Sequence, residues 1–247
     1  MSQIIKCLWH QPMATLRLIC IPYAGAGASV YRAWAKLLAP KIEVFAVQLP
    51  GREGRLRDPA FRQWAPMMAA LTGATADLPR MPTAIFGYSL GAVVALELSR
   101  WMHRHHADQL RHLFVAARPW PGDATAEGGA MEALDDKELL SILQHRYGTL
   151  PASLSHPEIR EVALPALRAD LMLLDSYVHA LGPTLRCPVT VYGGRADPMT
   201  REFRLDNWLR ESSGSLRVQL FESEHFFIDA CQSDLLADIA ATLHTAA

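Results

Sequence analysis

Gly87-Tyr88-Ser89-Leu90-Gly91 sets a serine between two glycines, with one residue intervening on each side. It follows the strand-like run Thr83-Ala84-Ile85-Phe86 and leads straight into Ala92-Val93-Val94-Ala95-Leu96-Glu97-Leu98, which reads as a helix. A strand-to-helix turn this tight holds the serine in a strained conformation at the strand's end. Glycines flank it because side chains there collide with neighbouring backbone. A serine hydroxyl is a poor nucleophile alone, so a base must take its proton and a carboxylate must orient that base. The chemistry expected of Ser89 is attack on an acyl carbon, provided a histidine and an acid reach it.

After such an elbow the partners come in the chain order serine, acid, histidine. His225 follows the run Val218-Gln219-Leu220-Phe221 in the short loop Glu222-Ser223-Glu224. Asp197 follows Val189-Thr190-Val191-Tyr192 in the loop Gly193-Gly194-Arg195-Ala196 and precedes Pro198. Both therefore belong at the sheet edge that carries Ser89. Asp123 is the main rival for the acid, and Asp175 a more distant one. The developing oxyanion needs two N–H donors: the amide after the nucleophile, Leu90, and one from the loop after an early strand. That loop is Pro22-Tyr23-Ala24-Gly25-Ala26-Gly27, with Ala24 as the chosen donor. His103, His105 and His106 close the helix after the elbow, where they complement its dipole, and no metal site is read from them.

The elements that must position these residues are visible as apolar runs over Leu16–Ile21, Ile42–Leu49, Thr83–Tyr88, His112–Ala117, Val189–Tyr192 and Leu216–Phe221. Between them lie stretches with helical spacing, such as Val30–Leu38, Gly91–His105, Glu202–Glu211 and Ser233–Leu243. Such alternation builds βαβ units and a mostly parallel central sheet flanked by helices. With the elbow, the fold class is α/β, of the α/β-hydrolase type. From Ala117 to Pro188 no convincing strand occurs. One helical run there is capped by Asp135 or Asp136 and carries Leu139, Leu140 and Leu143 on one face; a longer one opens at His156-Pro157-Glu158 and continues through Leu167, Leu171, Leu174 and Val178. Pro165 should kink or split it, and Pro121–Gly129 reads as a mobile loop. The chain is expected to form one domain, 1–247, with a helical lid insertion over about 120–182, above the carboxyl edge where ligands bind in such sheets.

A formal net charge of -1 removes any electrostatic reason to expect nucleic acid or an anionic membrane as partner. The four cysteines are scattered without a CxxC pair, so neither a disulfide framework nor a zinc site follows from their spacing. No uninterrupted apolar segment reads as a secretory signal or a membrane span. A cytoplasmic, soluble protein is expected.

Pro22-Tyr23-Ala24-Gly25, Gln48-Leu49-Pro50-Gly51-Arg52-Glu53, Gly87-Tyr88-Ser89-Leu90-Gly91 and His225-Phe226-Phe227 together resemble type II thioesterases, over about residues 15 to 240. Members of that family accompany nonribosomal peptide and polyketide synthases and hydrolyse stalled or incorrect acyl groups from the phosphopantetheine arm of carrier proteins. Related members release medium-chain fatty acids, and a general carboxylesterase is the other enzyme reading. The resemblance implies Ser89 as nucleophile, Asp197 as acid, His225 as base, Ala24 and Leu90 as oxyanion donors, and a helical lid. It implies acyl or peptidyl carrier domains as transient partners of a monomer, with no cofactor of its own, since the 4'-phosphopantetheine belongs to the partner. Two positions depart from the pattern: Ala26 stands where relatives often carry glycine, and Glu224 precedes the histidine where glycine is common. A Glu224 carboxylate turned toward His225 would raise the imidazole pKa. Arg52 and Arg55 read as a surface or buried structural pair rather than as neighbours of the pantetheine phosphate.

Overall fold

Every residue of Leu16–Ile21, Ile42–Val47, Thr83–Tyr88 and Val189–Gly194 is buried, as continuous apolar runs require of strands covered on both faces. A computed structural model describes residues 4–123, 134–151, 154, 156–202 and 204–245. In chain order its elements are β1 (Ile5–Cys7), β2 (Leu16–Ile21), α1 (Arg32–Leu37), β3 (Ile42–Val47), α2 (Trp64–Ala76), β4 (Thr83–Tyr88), α3 (Leu90–His105) and β5 (Leu110–Ala116). They continue with α4 (Asp136–Tyr147), α5 (Pro157–Asp175), β6 (Val189–Gly194), α6 (Pro198–Glu202), β7 (Leu216–Phe221), α7 (Phe227–Ala230) and α8 (Gln232–Thr245). The seven strands form one sheet in the order β1-β3-β2-β4-β5-β6-β7. Among the described residues only β1 runs antiparallel to its neighbour; the other pairings are parallel.

Strand alternation divides the core. Ile19, Ile21, Ile85 and Val115 pack with α3 on one face, whereas Leu18, Cys20, Phe86 and Phe114 pack with Trp34 of α1 and with Leu235 and Ile239 of α8 on the other. A third cluster joins Leu139 and Leu143 of α4 to Leu164, Leu167 and Leu171 of α5 and to Met199, so the insertion between β5 and β6 has its own apolar seam. Asp135 caps α4 in a reciprocal capping box with Glu138, and Pro157 opens α5.

Several expectations need correction. The helix expected over Glu202–Glu211 is two elements, α6 and a 3₁₀ helix over Leu205–Glu211. Its buried residues Leu205, Trp208 and Glu211 recur every third position, the 3₁₀ period. Pro165 does not split α5, which runs through it as one helix. β1 is too short for alternation to reveal, and α2 carries alanine and methionine on all sides, so no stripe marks it. Of the loop expected over Pro121–Gly129, all beyond Asp123 lies outside the described residues.

Candidate active site

Ser89 sits between β4 and α3 with φ 53° and ψ -112°, a backbone conformation that L-residues rarely adopt. Its amide donates to the Ala116 carbonyl at 2.8 Å, tying the turn to β5. The flanking glycines are steric necessities. A Cβ on Gly87 would meet the Gly91 carbonyl oxygen at 2.0 Å, and one on Gly91 would meet the Ile21 carbonyl oxygen at 2.2 Å.

His225 and Asp197 arrive from the loops after β7 and β6. The Ala196 amide donates to the Ser223 carbonyl at 3.0 Å, so the two loops brace each other. The Tyr88 hydroxyl, next to the nucleophile, donates to the His225 carbonyl. His225 Nε2 lies 3.3 Å from Ser89 Oγ, and His225 Nδ1 lies 2.8 Å from Asp197 Oδ2. Asp197 Oδ1 accepts from the Met199 amide at 2.9 Å. With both carboxylate oxygens engaged and Asp197 wholly buried, the acid holds one tautomer: Nδ1–H donates and Nε2 is left to accept from the serine. Neither rival acid takes this place: Asp123 accepts from Asn207 Nδ2 at 2.5 Å, and Asp175 closes α5.

Ala24 and Leu90 line the same cavity as Ser89 and His225. Leu90 is the first residue of α3, where an amide has no intrahelical carbonyl. In the loop after β2, the Ala26 amide donates to the Tyr23 carbonyl at 3.1 Å and the Gly25 amide to Asp170 Oδ2 at 2.8 Å. Among the described residues the Ala24 amide is left with no protein acceptor, which makes it, rather than Gly25, the available donor. Ala26 fits the turn as it stands.

The cavity measures about 340 Å³, and its far wall is apolar: Leu143 and Tyr147 from α4, and Val162, Leu167, Leu171 and Leu174 from α5. Such a volume suits a medium-sized organic chain. The Tyr147 ring lies against the His225 imidazole, 4.6 Å between centroids. Glu224 turns away from the role weighed for it. It is exposed, and its carboxylate accepts from the Thr149 amide at 2.9 Å, a bond that holds the carboxyl below its usual pKa.

Arg52 and Asp170 form a buried ion pair that joins the loop after β3 to α5. Arg55 pairs with Asp58 at 2.8 Å and donates to the Gln48 carbonyl at 3.1 Å. Sequence reading missed Tyr147 and Asp170. For Asp170 a signal existed: a lone carboxylate inside the apolar stripe of Leu164, Leu167, Leu171 and Leu174, where an unpaired charge is costly. Tyr147 continues the i, i+4 stripe of Leu139 and Leu143, a signal the sequence reading left unused.

The thioesterase domain family model matches residues 16–246 of this chain. The chain belongs to the thioesterase family. Thioesterase PikA5 of Streptomyces venezuelae is 30% identical over 230 residues, covering 93% of this chain and 81% of that protein. The type II thioesterase BorB from the borrelidin biosynthetic cluster superposes with a TM-score of 0.84 at 31% identity, covering 97% of each chain. A relative named linear gramicidin dehydrogenase LgrE, from Brevibacillus parabrevis, is 34% identical over 94% of this chain and 89% of its own length.

Proposed function

We propose that the protein is a type II thioesterase that hydrolyses stalled or incorrect acyl groups from the phosphopantetheine arm of carrier proteins in nonribosomal peptide or polyketide synthesis. The observation that carries this reading is the Ser89–His225–Asp197 relay opening into a cavity whose far wall is apolar side chains of α4 and α5. Ser89 Oγ attacks the thioester carbonyl while His225 Nε2 takes its proton. Asp197 stabilises the imidazolium, and the Ala24 and Leu90 amides bind the oxyanion. The thiol of the pantetheine arm leaves as the acyl-enzyme forms; His225 then activates water, and the acid is released. A thiol is a far more acidic leaving group than an alcohol, so little acid assistance is needed in the first half.

No cofactor of the enzyme's own enters these steps. The carrier domain is a transient partner of a monomer in the cytoplasm, a setting that suits four free cysteines. Among the described residues no helix is long and apolar enough to cross a membrane.

The test is hydrolysis of an acyl-phosphopantetheinyl carrier protein by wild type and Ser89→Ala, read by intact mass spectrometry, beside a p-nitrophenyl ester. Ser89-dependent loss of the acyl group, faster than ester turnover, is expected. Activity confined to the simple ester would point to a general carboxylesterase instead.

A further inference from the structure

The segment Gln48-Leu49-Pro50-Gly51-Arg52-Glu53 takes no part in the proton relay, yet three of its side chains grip the loop that follows β2. Gln48 Oε1 accepts from the Ala28 amide at 3.1 Å, an Arg52 guanidinium nitrogen donates to the Ala26 carbonyl at 3.1 Å, and Glu53 Oε1 accepts from the Ser29 amide at 3.2 Å. The fourth grip comes from α5, where Asp170 Oδ2 accepts from the Gly25 amide at 2.8 Å.

Asp170 is 1% exposed and Arg52 5%. The guanidinium engages both carboxylate oxygens, one at 2.7 Å, and besides the Ala26 carbonyl it reaches the Pro50 carbonyl at 3.4 Å. A bidentate pair fixes direction as well as distance, so Asp170 presents its oxygen to Gly25 at a set angle. Gly25 accepts this because it has φ +80°, a conformation that suits glycine. It also lies so near α5 that a Cβ there would meet Leu167 Cβ at 3.2 Å. The peptide joining Ala24 to Gly25 is thereby held, and the Ala24 amide, one peptide earlier, is the donor left for the oxyanion.

We propose that Asp170, oriented by Arg52, is a positioning residue that fixes the Tyr23–Gly25 backbone for oxyanion binding. This rests on the reading of Ser89 as an acyl-transferring nucleophile. Donors act strongly on a transition state only when they are already in place, so the gain is in turnover and not in substrate binding.

The double variant Arg52→Met/Asp170→Leu tests it, because replacing both members of a buried pair by apolar residues of similar size often leaves a fold stable. Turnover of an acyl-pantetheine and of p-nitrophenyl acetate should fall by the same factor, about 10- to 100-fold, since loss of one oxyanion donor costs about 10²–10³-fold and a displaced donor keeps part of that. KM should stay within about twofold. The midpoints of the pH–rate profile should not move, because the bond between Asp197 and His225 is untouched. Affinity for an alkylboronic acid, whose tetrahedral adduct on Ser89 presents an oxygen to the same amides, should fall in step with kcat. Wild-type kcat and boronate affinity in the folded variant would overturn the proposal, as would a loss confined to KM. Should the double variant fail to fold, Arg52→Lys keeps the buried charge while giving up the bidentate grip, and the same readouts apply. A wild type that turns over only the simple ester would sink the thioesterase reading while leaving this comparison valid.

Discussion

The Tyr147 ring covers the His225 imidazole, with centroids 4.6 Å apart and planes tilted by 39°. One ring belongs to α4 in the insertion between β5 and β6 and the other to the loop after β7, so the insertion touches the candidate base itself. The Phe226 ring also meets the imidazole, edge-on at 4.9 Å. Aromatic pairs of this kind contribute about 0.5–1.5 kcal/mol beyond their buried area. Tyr147→Ala should therefore lower kcat by about 2- to 10-fold, while Tyr147→Phe, which keeps the ring, should stay near wild type. Steady-state kinetics on an acyl-pantetheine decide it; equal loss in both variants would implicate the hydroxyl and not the stacking.

Asp197→Asn should leave the fold and the position of His225 intact but present the wrong partner to Nδ1. An amide NH₂ facing Nδ1 favours the tautomer with the proton on Nε2, where Ser89 needs an acceptor. The expected loss is about 10³–10⁴ in kcat at neutral pH, the size seen when a buried triad acid is neutralised. Circular dichroism should match wild type, and a loss of less than tenfold would mean that another group orients the base.

Stability is concentrated elsewhere. Glu211 is 1% exposed; it accepts from Arg100 at 2.5 Å and from Trp120 Nε1 at 2.7 Å, while Arg100 also pairs with Glu97 at 2.7 Å. Arg100→Met would strand the Glu211 charge. Breaking such a buried pair costs about 3–5 kcal/mol, which urea denaturation can measure directly. Adding Glu211→Gln should recover part of the loss, because the stranded charge is gone and Trp120 keeps an acceptor.

His112 supplies a pH dependence. Burial, reinforced by the charge of Arg217, lowers its pKa from 6.5 to about 4, and Nε2 bonds to Thr190 Oγ1 at 2.9 Å. The unfolded chain takes up this proton near 6.5 while the folded chain resists until about 4, so the contribution is present above 6.5 and is lost as pH falls through that window. At about 1.4 kcal/mol per pH unit, the loss approaches about 3 kcal/mol. Between pH 7.5 and 4, His112→Gln should lose about that much less stability than wild type in urea titrations. Parallel losses in the two proteins would refute the assignment.

Ser89, Asp197 and His225 were legible because each lies directly after a strand, and a strand's end has a fixed place in a parallel sheet. Residues far apart in the chain thus reach one edge through signals that are each local. The pair of Arg52 and Asp170 was not legible in this way. Its members are 118 residues apart, and their meeting depends on how α5 lies across the loops. The same holds for Glu224, whose partner Thr149 is 75 residues away. Helices failed where the apolar stripe was missing, as in α2, or where its period was three rather than 3.6, as in Leu205–Glu211.

The contact of Gly91 with the Ile21 carbonyl and of Gly87 with the Gly91 carbonyl is made by main chain against main chain. Almost any mutation that adds a side chain at either glycine breaks it, whereas the acyl wall of Leu143, Val162, Leu167 and Leu171 is made of side chains that can be exchanged for others of different size. Evolution can therefore vary the cargo while inheriting the chemistry unchanged. An engineer who wants a new acyl preference has the same division of labour to work with: leave the elbow alone and rebuild the two helices above it.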